Sequence, residues 1–216
     1  MGGENIFATN NYLEEINFYD TRMWRVVKQI KYQHEVECFI WDLSGAALFV
    51  TDIQGDISVY DGEALNPQPE ITLNTVHRKG CRCTTIAMHP SNEIFATAGN
   101  DSIIAFWDFE DLLCSGTVTS NMAPVKTLSF SPCGRFLAAI CQDDQVETEK
   151  KFLVEVYDTE QRTSVAVPPQ GVTTQTKTSL DWHPKELERP ILAISGHNDQ
   201  SQGVVNLQRL VPSQQE

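Results

Sequence analysis

The sequence predicts an all-β protein built from one repeated antiparallel sheet, and three observations carry that prediction. First, an apolar stretch, a turn rich in Gly or Pro and a second apolar stretch recur four times. The copies are CFIWDLSGAALFV (38–50), TIAMHPSNEIFAT (85–97), TLSFSPCGRFLAA (127–139) and SLDWHPKELERPILAI (179–194). Second, each copy leads through a polar turn to a further short strand: ISVYD, IIAFWD, LVEVYD and VVNLQR. Third, the apolar runs are short, rich in Val, Ile, Phe and Thr, and punctuated by Gly, Pro, Asn and Asp, which is strand rather than helix chemistry.

The spacing sets the elements in order. The chain opens with Ile6-Phe7-Ala8-Thr9, the same four letters as Ile94-Phe95-Ala96-Thr97. Ten residues separate Thr9 from Tyr19, Val50 from Tyr60 and Thr97 from Trp107. Residues 1–33 therefore read as a repeat entered at its second strand. Fuller repeats are expected over 34–74, 75–119, 120–168 and 169–211, with a polar tail at 212–216. The last repeat carries three extra residues in its first turn and a short insertion near 196–202. The fourth places 18 residues between Ala139 and Tyr157. Its eight-residue insertion, around DDQVETEKK (143–151), is expected to protrude as a hairpin or loop, the kind of element that carries binding on a rigid scaffold.

The strand-ending positions Tyr19, Tyr60, Trp107, Tyr157 and Gln208 lie 41, 47, 50 and 51 residues apart. That period, with Trp107-Asp108 closing the clearest copy, resembles the blades of a WD40 β-propeller. About four and a half blades are expected, of the seven that the resemblance implies for the closed fold, so the chain reads as lacking N-terminal blades. The resemblance also implies a buried hydrogen-bond chain of His77, Thr97, Asp101 and Trp107. The chemistry suits it, because an indole N–H only donates, a carboxylate only accepts, and hydroxyl and imidazole do both. The second repeat offers Val50 and Gln54 at the Thr and Asp places, and the fourth offers Ala139 and Asp143.

Composition narrows the function. The net charge of −13 argues against broad nucleic-acid binding, which needs surplus Lys and Arg. The densest basic run, Arg22, Arg25, Lys28 and Lys31, reads as a solvated strand edge. The six cysteines are scattered without a metal-binding frame, which points to a reducing compartment. Cys81 and Cys83 read as strand thiols. His89-Pro90 and His183-Pro184 read as turns at strand ends rather than as metal sites. No stretch has the length and apolarity of a membrane helix, and the first residues lack secretory-signal features.

At a finer level the chain resembles the family of THO complex subunit 3, the WD-repeat component of the transcription-export (TREX) assembly. The resemblance rests on EVECFIWDLSGAALFVTDIQGDISVYD (35–61), FATAGNDSIIAFWDFEDLLCSG (95–116), PVKTLSFSPCGRFLAA (124–139), LDWHP (180–184) and GVVNLQRL (203–210). It implies a non-catalytic nuclear scaffold that helps couple transcription to mRNA processing and export. Its partners would be other THO/TREX subunits, with RNA associated through them. No cofactor, metal, membrane or small-molecule substrate is expected. Two rivals stand beside it: a WD40 adaptor of a ubiquitin ligase or signalling assembly, and a propeller enzyme, which would need His and carboxylates clustered around a metal.

Overall fold

The computed structural model describes residues 5–11, 14–74, 76–78, 80–120, 123–143, 151–165, 179–185, 190–197 and 203–209. Among them there is no α-helix, and the strands form five antiparallel sheets. The first contains β1 (Ile6–Asn11), β2 (Glu15–Asp20) and β3 (Arg25–Lys31). The second contains β4 (Val36–Trp41), β5 (Ala47–Asp52), β6 (Ile57–Asp61) and β7 (Ile71–Leu73), and the third β8 (Thr85–Met88), β9 (Ile94–Ala98), β10 (Ile103–Asp108) and β11 (Cys114–Thr119). The fourth contains β12 (Val125–Phe130), β13 (Phe136–Asp143), β14 (Lys151–Asp158) and β15 (Ser164–Val165), and the fifth β16 (Ser179–Trp182), β17 (Ile191–His197) and β18 (Gly203–Arg209). Within every sheet the strands lie in sequence order, as short hairpin connections dictate.

The chain divides into two compact units, residues 1–86 and 87–216. In the first, Ile16, Phe18 and Ile30 of the first sheet pack with Val36, Leu48, Val50 and Tyr60 of the second. Strand β2 shows the cause: Ile16, Phe18 and Asp20 are buried and alternate with half-buried residues, the period-two pattern of a strand with one covered face. In the second unit, Ala96, Ala98, Ile104 and Phe106 of the third sheet pack with Leu128, Leu137, Ala139 and Tyr157 of the fourth. The other face of the fourth sheet, through Phe136, Ala138, Ile140 and Val156, packs on Leu180, Trp182, Leu192 and Ile194 of the fifth. Trp182 adds a polar tie, its Nε1 donating to the Ser129 carbonyl at 3.0 Å. Full burial of each large apolar side chain contributes roughly 1.5–3 kcal/mol.

The echo between the two IFAT stretches persists in three dimensions. Phe7 pairs with Tyr19 and Thr9 with Asn17 in the first sheet, and Phe95 pairs with Trp107 and Thr97 with Ala105 in the third. Both sheets then shift register at the same place, between Phe18 and Tyr19 and between Phe106 and Trp107. Both aromatic pairs stack, Phe7 on Tyr19 at 4.8 Å and 11°, Phe95 on Trp107 at 6.0 Å and 10°.

Other expectations meet the structure in detail. The insertion of the fourth repeat lengthens β13 and β14 to eight residues each, paired out to Asp143 and Lys151, while residues 144–150 lie outside the described residues. The tail at 212–216 lies outside them too, as do residues 186–189 and 198–202 of the fifth repeat. Strand β3 is an edge of its sheet, and Arg22, Arg25 and Lys31 are exposed on and beside it. Lys28 departs from the solvated-edge reading: it is half-buried, and its ammonium donates to the Ala64 carbonyl at 2.5 Å.

Candidate functional site

Of the four residues in the expected hydrogen-bond chain, the structure joins Thr97 and Trp107 directly. Trp107 Nε1 donates to Thr97 Oγ1 at 2.9 Å, and both side chains are buried. The bond spans adjacent strands, with Thr97 on β9 and Trp107 on β10. Asp101 sits in the intervening turn, where Oδ1 accepts the Ile103 amide at 3.1 Å. Ser102, at φ 64°, completes that tight reversal. His77 is buried in the first unit, just beyond the Val76 amide that donates to the Gly55 carbonyl. Trp107→Phe removes the indole donor and keeps a ring. It is expected to lower unfolding free energy by about 1 kcal/mol in urea denaturation.

The fourth sheet solves the same problem differently. Tyr157 occupies the register place of Trp107, opposite Leu137, and Ala139 stands where Thr97 does. With no hydroxyl across the strand, the Tyr157 hydroxyl donates to Glu155 Oε2 two residues back on its own strand. Glu155 is only 7% exposed, and Cys141 Sγ lies 3.7 Å from the same oxygen. Burial first, and then the Glu155 carboxylate, push the Cys141 thiol up to about 12 and raise the Tyr157 hydroxyl above its ordinary value. In the second sheet the place of Glu155 belongs to Ser58, which accepts from the Tyr32 hydroxyl at 2.6 Å.

A second repeated device lies at the ends of β2, β6, β10 and β14 and was not singled out from the sequence. Asp20, Asp61, Asp108 and Asp158 each follow the strand-ending aromatic and cap the turn beyond it. Asp61 Oδ1 accepts the amides of Glu63 and Ala64, Asp108 Oδ1 those of Glu110 and Asp111, and Asp158 Oδ1 those of Glu160 and Gln161. Asp20 Oδ1 takes the Arg22 amide, while the Arg22 guanidinium holds this carboxyl at about 2. Four residues on, Trp24, Leu65, Leu112 and Arg162 all adopt positive φ, between 48° and 55°. The aspartate that recurs after Tyr or Trp was the available signal; Arg209 replaces it in the last repeat. In this turn Arg162 reaches back to the third sheet. Its Nη2 donates to Ser115 Oγ at 2.9 Å and its guanidinium lies 5.4 Å over the Phe106 ring.

The His-Pro turns are built by the same short-range logic. His89 Nδ1 accepts the Ser91 amide at 3.1 Å, so Nε2 carries the proton and donates to the Gly134 carbonyl at 3.0 Å. His183 Nδ1 accepts the Lys185 amide at 3.3 Å. No group of three or more His, Cys, Asp or Glu side chains suited to a metal ion occurs among the described residues. Exposed apolar surface concentrates on the first sheet, where Trp24 is 76% and Met23 51% exposed and the Trp24 ring lies 6.0 Å from Phe7.

Residues 68–108 match the family described as WD domain, G-beta repeat. THO complex subunit 3 of Arabidopsis thaliana is 28% identical over 196 residues, covering 86% of this chain and 57% of that protein. WD repeat-containing protein AAC3 of Dictyostelium discoideum is 28% identical over 96 residues, 42% of this chain and 19% of that protein. The chain thus spans little more than half of the first relative and a fifth of the second. Kuenenia stuttgartiensis hydrazine synthase superimposes at a TM-score of 0.75 over 97% of this chain and 60% of that one, at 14% identity, a likeness of fold alone. The chain therefore has the all-β fold of WD40 propeller blades, carries a WD40 repeat, and is similar to THO complex subunit 3 over most of its length.

Proposed function

We propose that this protein is a non-catalytic scaffold subunit of a THO/TREX-type assembly in the nucleus, coupling transcription to mRNA processing and export through protein–protein contacts. The observation that carries this reading is the 28% identity to THO complex subunit 3 across 86% of the chain. Its chemistry agrees: a net charge of −13 favours contact with RNA through partners rather than through this chain. The segments 1–33, 34–74, 75–119, 120–168 and 169–211 act as successive blades of one propeller domain. The side chains of His77, Thr97, Asp101 and Trp107 serve to stiffen a blade rather than to catalyse, since a satisfied buried polar chain specifies one packing. Exposed aromatic surface around Trp24 and Phe7 supports a role in protein contact, because Trp is among the residues enriched in interface hot spots.

Affinity purification of the tagged protein from nuclear extract, with and without ribonuclease, tests the reading. THO subunits are expected to co-purify in both samples. Recovery of a ubiquitin-ligase or signalling complex in their place would overturn it.

A further inference from the structure

Several segments of the first unit converge on a cavity of about 240 Å³ whose wall chemistry is specific. Two phenol rings, Tyr32 and Tyr60, and two carboxylates, Asp52 and Asp56, line it together with His34 and Lys31. The ring centroids are 6.5 Å apart and the planes meet at 52°. The Tyr32 hydroxyl is held by Ser58 Oγ. Asp52 is 1% exposed, and its Oδ1 is committed to the turn, accepting the amides of Gln54 at 2.9 Å and Asp56 at 3.0 Å. No partner for Oδ2 occurs among the described residues. The Lys31 ammonium does not neutralise the cavity: its side chain is 80% exposed and approaches Glu15 at 3.9 Å.

These features select the ligand by charge and size. An anion would meet a buried carboxylate, and a neutral apolar group would leave Asp52 Oδ2 without a partner. A cation satisfies that oxygen and gains from the electron-rich faces of tyrosine. The volume is below the roughly 300–1,000 Å³ of cofactor and drug-sized pockets, and it suits one side chain. We propose that this cavity binds a cationic side chain, the ammonium of a lysine or the guanidinium of an arginine presented by a partner protein, with Asp52 and Asp56 supplying opposite charge and Tyr32 and Tyr60 the walls. Only the carrier of the cation rests on the protein-binding reading above; the chemistry of the cavity stands by itself.

The experiment is an amide-resolved NMR titration of the full chain with N-acetyl-lysine methylamide and N-acetyl-arginine methylamide. The norleucine and glutamate analogues serve as controls. The cationic probes are expected to shift the amides of Gln54 and Asp56 saturably, with affinity falling as salt is added. Asp52→Asn keeps an oxygen for the two amides and removes the charge, and it is expected to weaken binding about tenfold. Asp56→Asn and Tyr60→Leu, each about three- to fivefold weaker, test the site should the first variant not fold. No saturable shift, equal binding of norleucine, or unchanged affinity in all three variants overturns the proposal, as does a response to calcium chloride without one to lysine. Because no partner is present in the titration, its failure leaves THO membership untouched, and failed co-purification leaves the cavity untouched.

Discussion

Phe106→Ala is expected to lower the unfolding free energy by about 3–5 kcal/mol, the usual cost of deleting a buried aromatic ring. Phe106 is fully buried between the third and fourth sheets, and its neighbours explain why the vacated space would persist. Ala87, Ala96, Ala98 and Ala139 already present small side chains there, so they cannot swing inward to refill the volume. The Arg162 guanidinium above the ring would lose its cation–π partner as well, worth about 0.5–1 kcal/mol at an exposed site. Phe106→Leu retains most of the volume and is expected to cost substantially less. Urea denaturation followed by far-ultraviolet circular dichroism at fixed pH measures both. Equal midpoints for Phe106→Ala and the parent would show that the ring is not part of a packed core.

Alkaline pH is expected to destabilise the protein. The Cys141 thiol has an ordinary value of 9.0, and in the folded chain burial and the neighbouring Glu155 carboxylate push it up to about 12. The folded state therefore keeps a proton that the unfolded chain releases. This stability is fully present below pH 9 and is lost as pH rises toward 12. Three pH units at 1.36 kcal/mol each put the contribution on the order of 4 kcal/mol. Tyr60, pushed up to about 12 by burial, and Tyr157, raised by burial and Glu155, extend the loss above pH 10. Unfolding free energies at pH 8, 9.5 and 11 are expected to decline steadily, and Cys141→Ala to flatten the decline between the first two. An unchanged slope in that variant would mean that the buried thiol does not govern the transition.

The architecture was legible because its signals are local. A strand that buries one face must alternate, a turn between strands must hold Gly, Asn, Asp or Pro, and a repeat must restore both at a fixed interval. Thr9, Val50 and Thr97 stand ten residues before Tyr19, Tyr60 and Trp107 because two strands and one turn fill that distance in these three copies. The pairing of Phe7 with Tyr19 and of Phe95 with Trp107 follows from the same count. Even the capping aspartates left a trace, since each follows the aromatic that ends its strand.

The polar interior was less legible, for a physical reason. A hydrogen bond between side chains on neighbouring strands depends on register and on which face is covered, and neither is written in any one strand. Val50 and Gln54 seemed to leave the second repeat without its polar residues, yet Asp52 caps that turn and Ser58 accepts from Tyr32. Ala139 removed the hydroxyl acceptor from the fourth repeat, yet Glu155 supplies a buried oxygen to the partner of that position. By itself, then, the sequence determined an all-β chain of repeated sheets, where each strand turns, and a likeness to THO complex subunit 3. Only the tertiary structure decided which polar groups meet in the interior and where Asp52 and two tyrosines enclose a cavity. Strand periodicity is set by neighbours along the chain, whereas the desolvation that gives a buried carboxylate its role comes from sheets brought together by folding.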